Sequence, residues 1–293
     1  MPEPNYKIDV AKWVENAKAD PVAYRQRQTV EIVLNAIAIT TPLNAKMFLK
    51  GGILMGLAYD SPRQTTDIDM TTKLIVKHNT GDMIRTKLDA AFPRAAAALG
   101  YADLVLITHS LKRMPRKTKF ENADFPALKL KIAYARRGTK QETRLSEGKV
   151  SEMIDLDISF NETLQHIQVL ELTGGQKLRA YGLVDLIAEK FRAMLQQVPR
   201  RRNRRQDVYD LDLLIGKHEI DDALRAQILD VFIEKCRSRR IEPTDLSLND
   251  PEIKTRSHAE WQTMELELSE VPEFECCFAR VSEFYRNLPW QSE

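Results

Sequence analysis

The chain is poor in the residues that staple a fold or anchor it to a membrane. Cysteine occurs only 3 times, at Cys236, Cys276 and Cys277, which excludes a disulfide framework and offers no zinc-ligand spacing. No apolar run approaches the roughly 18 residues that a membrane span needs. The opening residues MPEPNYKIDV lack the apolar core of a signal peptide, so a reducing cytoplasm without membrane contact is the expectation. Net charge is only +2, which argues against a molecule that is basic all over. Repeats are absent, and the one biased segment is a run of arginines. The five histidines, His78, His109, His166, His218 and His258, share no spacing and read as ordinary polar residues. The adjacent Cys276 and Cys277 read as packing residues.

What is present fits a globular chain. Hydrophobic residues make up 43% and charged residues 29% of 293 positions, enough for one large domain or two ordinary ones. The cations are clustered, in LKRMPRKTK at 111–119 and PRRRNRRQD at 199–207. Such blocks are either solvated surface or phosphate-contacting patches, and charge alone leaves both readings open.

The pattern along the chain divides it into an α+β half over residues 1–175 and a helical half over 176–293. Asp20-Pro21 predicts a capped helix start for VAYRQRQTVEIVLNAIAI. Met47-Phe48-Leu49 reads as a short strand, Gly51-Gly52 as its turn and Ile53 to Leu57 as a helix start. DIDMTTKLIV reads as a second strand pairing with the first. A helix is expected over 81–98, interrupted or ended near Pro93. Strands are expected in ADLVLITHS, PALKLKIAYA, VSEMIDLDISF and HIQVLEL, with a hairpin-like loop in RRGTKQETRLSEGK. Beyond Gly174-Gly175 the segments VDLIAEKFRAMLQQV, QDVYDLDLLIGK, DDALRAQILDVFIEKCRSR, HAEWQTMELEL and ECCFARVSEFYRNL read as helices. Trp261, Phe274, Phe278 and Phe284 are expected to pack a helical core.

Two acid pairs carry the chemistry. Asp67 and Asp69 are two residues apart, so on a strand their carboxylates point the same way. That suits Mg²⁺, which takes one or two carboxylates and completes its octahedron with water and substrate phosphates. Asp155 and Asp157 repeat the arrangement in a later strand. Should the two strands be neighbours, three or four carboxylates converge, a charge density that calls for a cation. Two metals held this way serve phosphoryl or nucleotidyl transfer. Gly51-Gly52 is either a tight turn or a place where backbone N–H groups approach a phosphate.

In order, the chain carries Lys50-Gly51-Gly52, then Arg63-x-Thr65-x-Asp67-Ile68-Asp69, then LDISF, then EKFRA, then Asp207-x-Tyr209-Asp210-Leu211. From Phe48 to about Leu214 this set resembles the AbiEii/AbiGii-type nucleotidyltransferases. Those are toxins of bacterial toxin–antitoxin and phage-defence systems, within the DNA polymerase β-like superfamily. The resemblance implies a polymerase β-like mixed sheet with helices, followed by a helical carboxy-terminal domain, with the nucleotide between them. It implies a phosphate loop at Lys50, Gly51 and Gly52, and a triphosphate bordered by Arg63 with Thr65 or Thr66. Asp67 and Asp69 would hold Mg²⁺, with Asp157 as the third carboxylate and Asp155 as the second choice. Lys190 would neutralise the triphosphate and Asp207 would orient Lys190 or the nucleotide. Bland readings stand beside these: an exposed helical lysine for Lys190, a helix cap for Asp207. The implied reaction moves NMP from an NTP such as ATP to an acceptor hydroxyl, an RNA 3′ end first and tRNA foremost, a protein side chain second. A cognate antitoxin is the implied partner.

The chain departs from the family pattern at Gln206, where arginine is common, and in the long basic insert PRRRNRR. Two other functions compete for the same residues. Asp67-x-Asp69-x-Thr71 also fits the nucleophile motif of haloacid-dehalogenase-like phosphatases, although that motif ends an apolar strand and here SPRQTT precedes it. The other is a nucleotide-fold protein that binds RNA or a partner without catalysis.

Overall fold

Asp20 opens the first long helix as its sequence predicts, its carboxylate accepting from the Val22 and Ala23 backbone N–H groups at 2.9 and 3.2 Å with Pro21 in the first turn. The computed structural model describes residues 5–116, 119–149 and 152–290. Lys117 and Thr118 of the first basic block, and Val150 and Ser151 at the start of an expected strand, lie outside the described residues.

In chain order the first elements are β1 (Asn5–Lys7), α1 (Val10–Glu15), α2 (Pro21–Ala38), α3 (Leu43–Lys46), β2 (Met47–Lys50), α4 (Gly51–Ala58) and β3 (Ile68–Thr72). Next come α5 (Thr80–Ala98), β4 (Leu104–Met114), β5 (Ala127–Arg136), α6 (Lys140–Ser146), β6 (Met153–Phe160), β7 (Ile167–Glu171) and β8 (Lys177–Tyr181). The helices α7 (Leu183–Gln196), α8 (Arg205–Lys217), α9 (Asp222–Ser238), α10 (Pro251–His258) and α11 (Phe274–Arg286) follow. The fold is therefore α+β, with an 8-stranded mixed sheet in the order β1-β7-β8-β2-β3-β6-β5-β4. The strand holding the first acid pair lies beside the strand holding the second, and β3 and β6 run parallel.

Alternation in β6 sorts its two faces. Ile154, Leu156, Ile158 and Phe160 are buried and Asp155, Asp157 and Ser159 are half-buried on the other side. Neighbouring β5 repeats the pattern, with Leu128, Leu130 and Ile132 inside and Lys129 exposed. The apolar side is covered by α2, whose Val30, Ile32, Val33, Leu34 and Ile37 have no solvent exposure. This leaves a polar face on the middle strands.

Several expectations are corrected. RRGTKQETRLSEGK is not a bare loop but contains α6, which buries Leu145 against Ala133 and Ala135. Pro93 does not stop α5, which runs on to Ala98. β3 is shorter than DIDMTTKLIV, and Asp67 stands immediately before its first residue. β8 escaped notice because KLRAY is brief and follows a glycine pair.

The chain forms two compact units. One contains residues 1–60, 65–162 and 168–180, and the other 61–64, 163–167 and 181–293. In the helical unit Trp261, Phe274, Phe278 and Phe284 are buried, as expected. Phe191, Phe232 and Tyr285 meet there at ring-centroid distances of 5.2–6.1 Å. The same unit buries an ion pair. Lys235 Nζ lies 2.7 Å from Asp185 Oδ1 and donates to the Thr163 carbonyl at 2.6 Å. Asp185 Oδ2 accepts from the Gln165 and His166 backbone N–H groups at 3.1 and 2.5 Å. Removing one partner of such a pair leaves an uncompensated charge. Lys235→Met should therefore destabilise the protein by about 3–5 kcal/mol, read as a lower urea midpoint. Asp185→Asn in the same chain should restore part of that loss.

Candidate active site

The sheet unit lines up charges across four strands. In the register, Lys50 on β2 pairs with Asp69 on β3, Asp69 with Asp157 on β6, and Asp157 with Lys129 on β5. The order is cation, acid, acid, cation. One step along, Asp155 pairs with Lys131, and continuing the β3–β6 register by one residue sets Asp67 beside Asp155. Lys129 Nζ is 2.6 Å from Asp157 Oδ2 and Lys131 Nζ is 2.9 Å from Asp155 Oδ1. Lys50 Nζ donates to Ser159 Oγ at 2.8 Å and lies 4.0 Å from Glu162.

Asp67 has the perturbed carboxyl of the group. Partial burial, followed by the like charges of Asp155 and Asp157, pushes its pKa above the usual carboxylate range, against the opposing pull of Lys129 and Lys131. Asp67, Asp155 and Asp157 therefore share one electrostatic neighbourhood. Gly51 fits closely against Asp69. It has φ +72°, and a Cβ built there would stand 2.2 Å from Asp69 Oδ2. Only glycine allows both that backbone and that approach. The glycine pair thus opens α4, rather than forming a separate turn, and Gly52 is buried in its first turn. Thr65 and Thr66 are half-buried in the irregular segment before Asp67.

Hard carboxylate oxygens are the donors that Mg²⁺ prefers, so the chemistry of Asp67, Asp69 and Asp157 fits such an ion. The set is open. Among the described residues no group of three or more acid, histidine or cysteine side chains is placed to hold a metal ion. The cations facing Asp155 and Asp157 are lysines with half-exposed side chains.

The helical unit gathers the remaining candidates around a residue that the sequence reading did not single out, Asp210. Lys190 Nζ is 2.6 Å from Asp210 Oδ2 and 3.3 Å from Asp207 Oδ1. Arg63 Nε and Nη2 reach the two oxygens of Asp210 at 3.3 Å each, and its Nη1 donates to Glu267 at 2.9 Å. Lys190 is 5%, Arg63 8% and Asp210 1% exposed, which excludes the bland reading of Lys190 as an exposed helical lysine. Burial pulls the Lys190 ammonium down, but Asp210 and Asp207 outweigh it and hold its pKa above the ordinary value. For Asp210 burial acts upward, and Lys190 and Arg63 reverse it to leave the carboxyl below its usual range. Arg63 is likewise raised: burial lowers it, and Asp210 and Glu267 more than compensate.

Arg63, Lys190 and Asp207 are thus brought together within one unit, whereas Thr65 and Thr66 belong to the sheet unit. Asp210 had a legible signal. It lies among Val208, Leu211 and Leu214 on the buried side of α8, where a carboxylate needs a cation. Gln206, in place of the family arginine, donates its Nε2 to both oxygens of Glu267 at 2.8 and 2.9 Å. It thereby joins Arg63 on the same acid.

MenT4, a nucleotidyltransferase toxin from Mycobacterium tuberculosis H37Rv, is similar in structure, with a TM-score of 0.57 at 14% identity over 96% of this chain and 90% of that one. An antigenic nucleotidyltransferase-like protein from Paracoccidioides brasiliensis aligns with a TM-score of 0.35 at 18% identity, over 79% of this chain and 92% of that one. A search of curated proteins gave no match. Residues 32–280 match the description "Nucleotidyl transferase AbiEii toxin, Type IV TA system". With that match spanning most of its length, the chain belongs to the AbiEii family of nucleotidyltransferase toxins of type IV toxin–antitoxin systems.

Proposed function

We propose that this toxin transfers NMP from an NTP to the 3′ hydroxyl of an RNA, with tRNA as the leading acceptor, in a reaction dependent on Mg²⁺. Family membership supplies the coarser part, nucleotidyl transfer by a toxin with an antitoxin counterpart, and displaces the phosphatase reading of Asp67 and Asp69. The metal and nucleotide part of the reading is supported by the row Lys50–Asp69–Asp157–Lys129 across the polar face, with Gly51 held against Asp69, and the RNA acceptor follows from the family resemblance. An acid pair flanked by lysines suits a triphosphate that arrives with its cation.

In this reading Asp67, Asp69 and Asp157 hold the divalent ion, and Asp155 remains beside them paired to Lys131. When bound, the ion supplies charge neutralisation at the phosphates and a lowered pKa for the attacking hydroxyl. The acceptor oxygen forms a bond to the α-phosphorus, the bond to pyrophosphate breaks, and the hydroxyl proton leaves toward a carboxylate or water. Lys50, Gly51 and Gly52 form the phosphate loop, and Thr65 and Thr66 border it. Lys190 contributes a cation kept charged by Asp207 and Asp210, and Arg63 shares Asp210 with it.

Incubating purified protein with total RNA and each labelled NTP tests the proposal. Label should enter RNA, and transfer should fall by about 100-fold or more in Asp69→Ala, Asp157→Ala and Lys190→Ala. Undiminished transfer in a folded Asp69→Ala or Asp157→Ala chain would sink the assignment. Gly51→Ala should lose transfer as well, since its Cβ has nowhere to go except into Asp69.

Asp67 separates function from stability. Its folded pKa is raised, so it costs stability while ionised, and that cost disappears as pH falls through the folded value. Asp67→Asn should therefore keep or raise the urea midpoint near pH ~8 while losing transfer. A lower midpoint in Asp67→Asn would mean that the carboxylate is structural.

A further inference from the structure

The loop that follows α7 carries Arg200, Arg201 and Arg202 in succession, all three exposed, and α9, which packs against α7 in the same unit, ends at a second reversal that carries Arg239 and Arg240. Arg200 is held below its ordinary pKa, first by partial burial and then by the like charges of Arg239, Arg192, Arg202 and Arg204. Arg192 lies 2.6 Å from Glu189 and Arg204 lies 3.5 Å from Asp207. Among the described residues Arg200, Arg201 and Arg202 make no ion pair. Both chain reversals are built alike. Arg202 N–H donates to the Gln197 carbonyl at 2.9 Å and Ile241 N–H to the Cys236 carbonyl at 3.0 Å. The left-handed residue inside each reversal, a place that favours glycine, is an arginine: Arg201 at φ +50° and Arg240 at φ +58°. Arginine thus occupies both left-handed positions.

We propose that this cluster, centred on Arg200, Arg201 and Arg202, grips the phosphodiester backbone of the RNA acceptor. The proposal rests on the RNA-acceptor reading of the transfer reaction and extends it to a binding surface. Two features favour RNA over an acidic protein. The cluster is all arginine, whose planar fork matches phosphate oxygens in pairs. It also lacks an apolar centre. The large exposed hydrophobic side chains are Val22, Ile75, Met114, Leu246 and Leu266, none of them in residues 197–205 or 236–241. Protein interfaces build on such a centre, whereas nucleic-acid interfaces are polar and positive. The loop also joins α7, which carries Lys190, to α8, which carries Asp207, so the grip is continuous in the chain with those residues.

The test measures binding of total tRNA without NTP over a range of salt concentrations. It compares the full-length chain with Arg200→Ala/Arg201→Gly/Arg202→Ala, in which glycine at 201 suits the left-handed backbone and protects folding. Removing three phosphate contacts should reduce the slope of log K against log salt by about 2 and weaken binding at least tenfold. Lys46→Ala/Lys73→Ala/Lys77→Ala removes equal charge from the sheet unit and should leave the slope near the wild-type value. Replacing the three arginines by lysine should keep the slope while lowering affinity. Unchanged affinity and slope in the first variant would overturn the proposal, as would tighter wild-type binding to polyglutamate than to tRNA. A parallel transfer assay keeps the two readings apart. Loss of tRNA binding in a chain whose wild type labels only protein would uphold the grip and reject the RNA acceptor. RNA labelling by a variant with unchanged binding would do the reverse.

Discussion

Asp69 and Asp157 stand side by side on parallel strands, and the rest of the sheet unit is arranged around that repulsion. Two unit charges about 5 Å apart repel by about 3 kcal/mol at an effective dielectric near 20. Lys50 and Lys129 flank the pair in register; the Lys50 side chain is largely buried, whereas a half-exposed one such as Lys129 offsets only about 0–1 kcal/mol. Lys129 and Lys131 have half-exposed side chains, so their compensation is incomplete. Partial burial, and after it the like charges of Asp155 and Asp157, raise the Asp67 pKa. A divalent ion is the group that removes such an excess without altering the fold. The fully buried strand face beneath makes the tension tolerable, because Leu156, Ile158, Leu128 and Leu130 lock the register that brings the acids together.

The helical unit handles charge differently. Around Asp210 the groups are buried and strongly compensated, with Arg63 and Lys190 sharing one carboxylate. Removing an ion from water costs several kcal/mol, and only close pairing with hydrogen bonds repays it. Such a network fixes side chains. Lys190 has two acids at its ammonium and a raised pKa, so it stays charged across the physiological range and stays in place. The sheet acids are accessible and incompletely paired, whereas the helical cations are buried and held.

Regular alternation made much of this legible. MIDLDISF declares its two faces, and the two-residue spacing of Asp67 and Asp69 survives even though β3 begins one residue after Asp67. Adjacency of β3 and β6 was a condition that only topology could meet, and a parallel pairing across more than eighty residues leaves no local trace. Short elements were lost. α6 holds itself by a single buried residue, Leu145, too little for periodicity to register. Pro93 misled because its cost to a helix is local, while Phe92, Ala95 and Ala96 around it are buried and carry α5 past it. Asp210 was overlooked beside Asp207 because charge at helical spacing reads as solvated surface. Its place on the apolar stripe of α8 was the contrary sign.

The two units balance their charges differently. On the sheet, Asp67, Asp69, Asp155 and Asp157 face Lys50, Lys129 and Lys131, and Glu162 adds to the acids. In the helical unit the charges balance: Asp207, Asp210, Glu260 and Glu267 face Arg63, Lys190, Arg204 and Arg205. A surplus of acid selects a cation, but it is not specific by itself, since surface acid clusters are common. What distinguishes the two units is how their charges are fixed: the sheet acids by a strand register that hydrophobic burial enforces, the helical cations Arg63 and Lys190 by a carboxylate that they share. Gln206 fits this view. A further arginine at that position would add a positive charge, whereas the amide holds Glu267 for Arg63 without adding any.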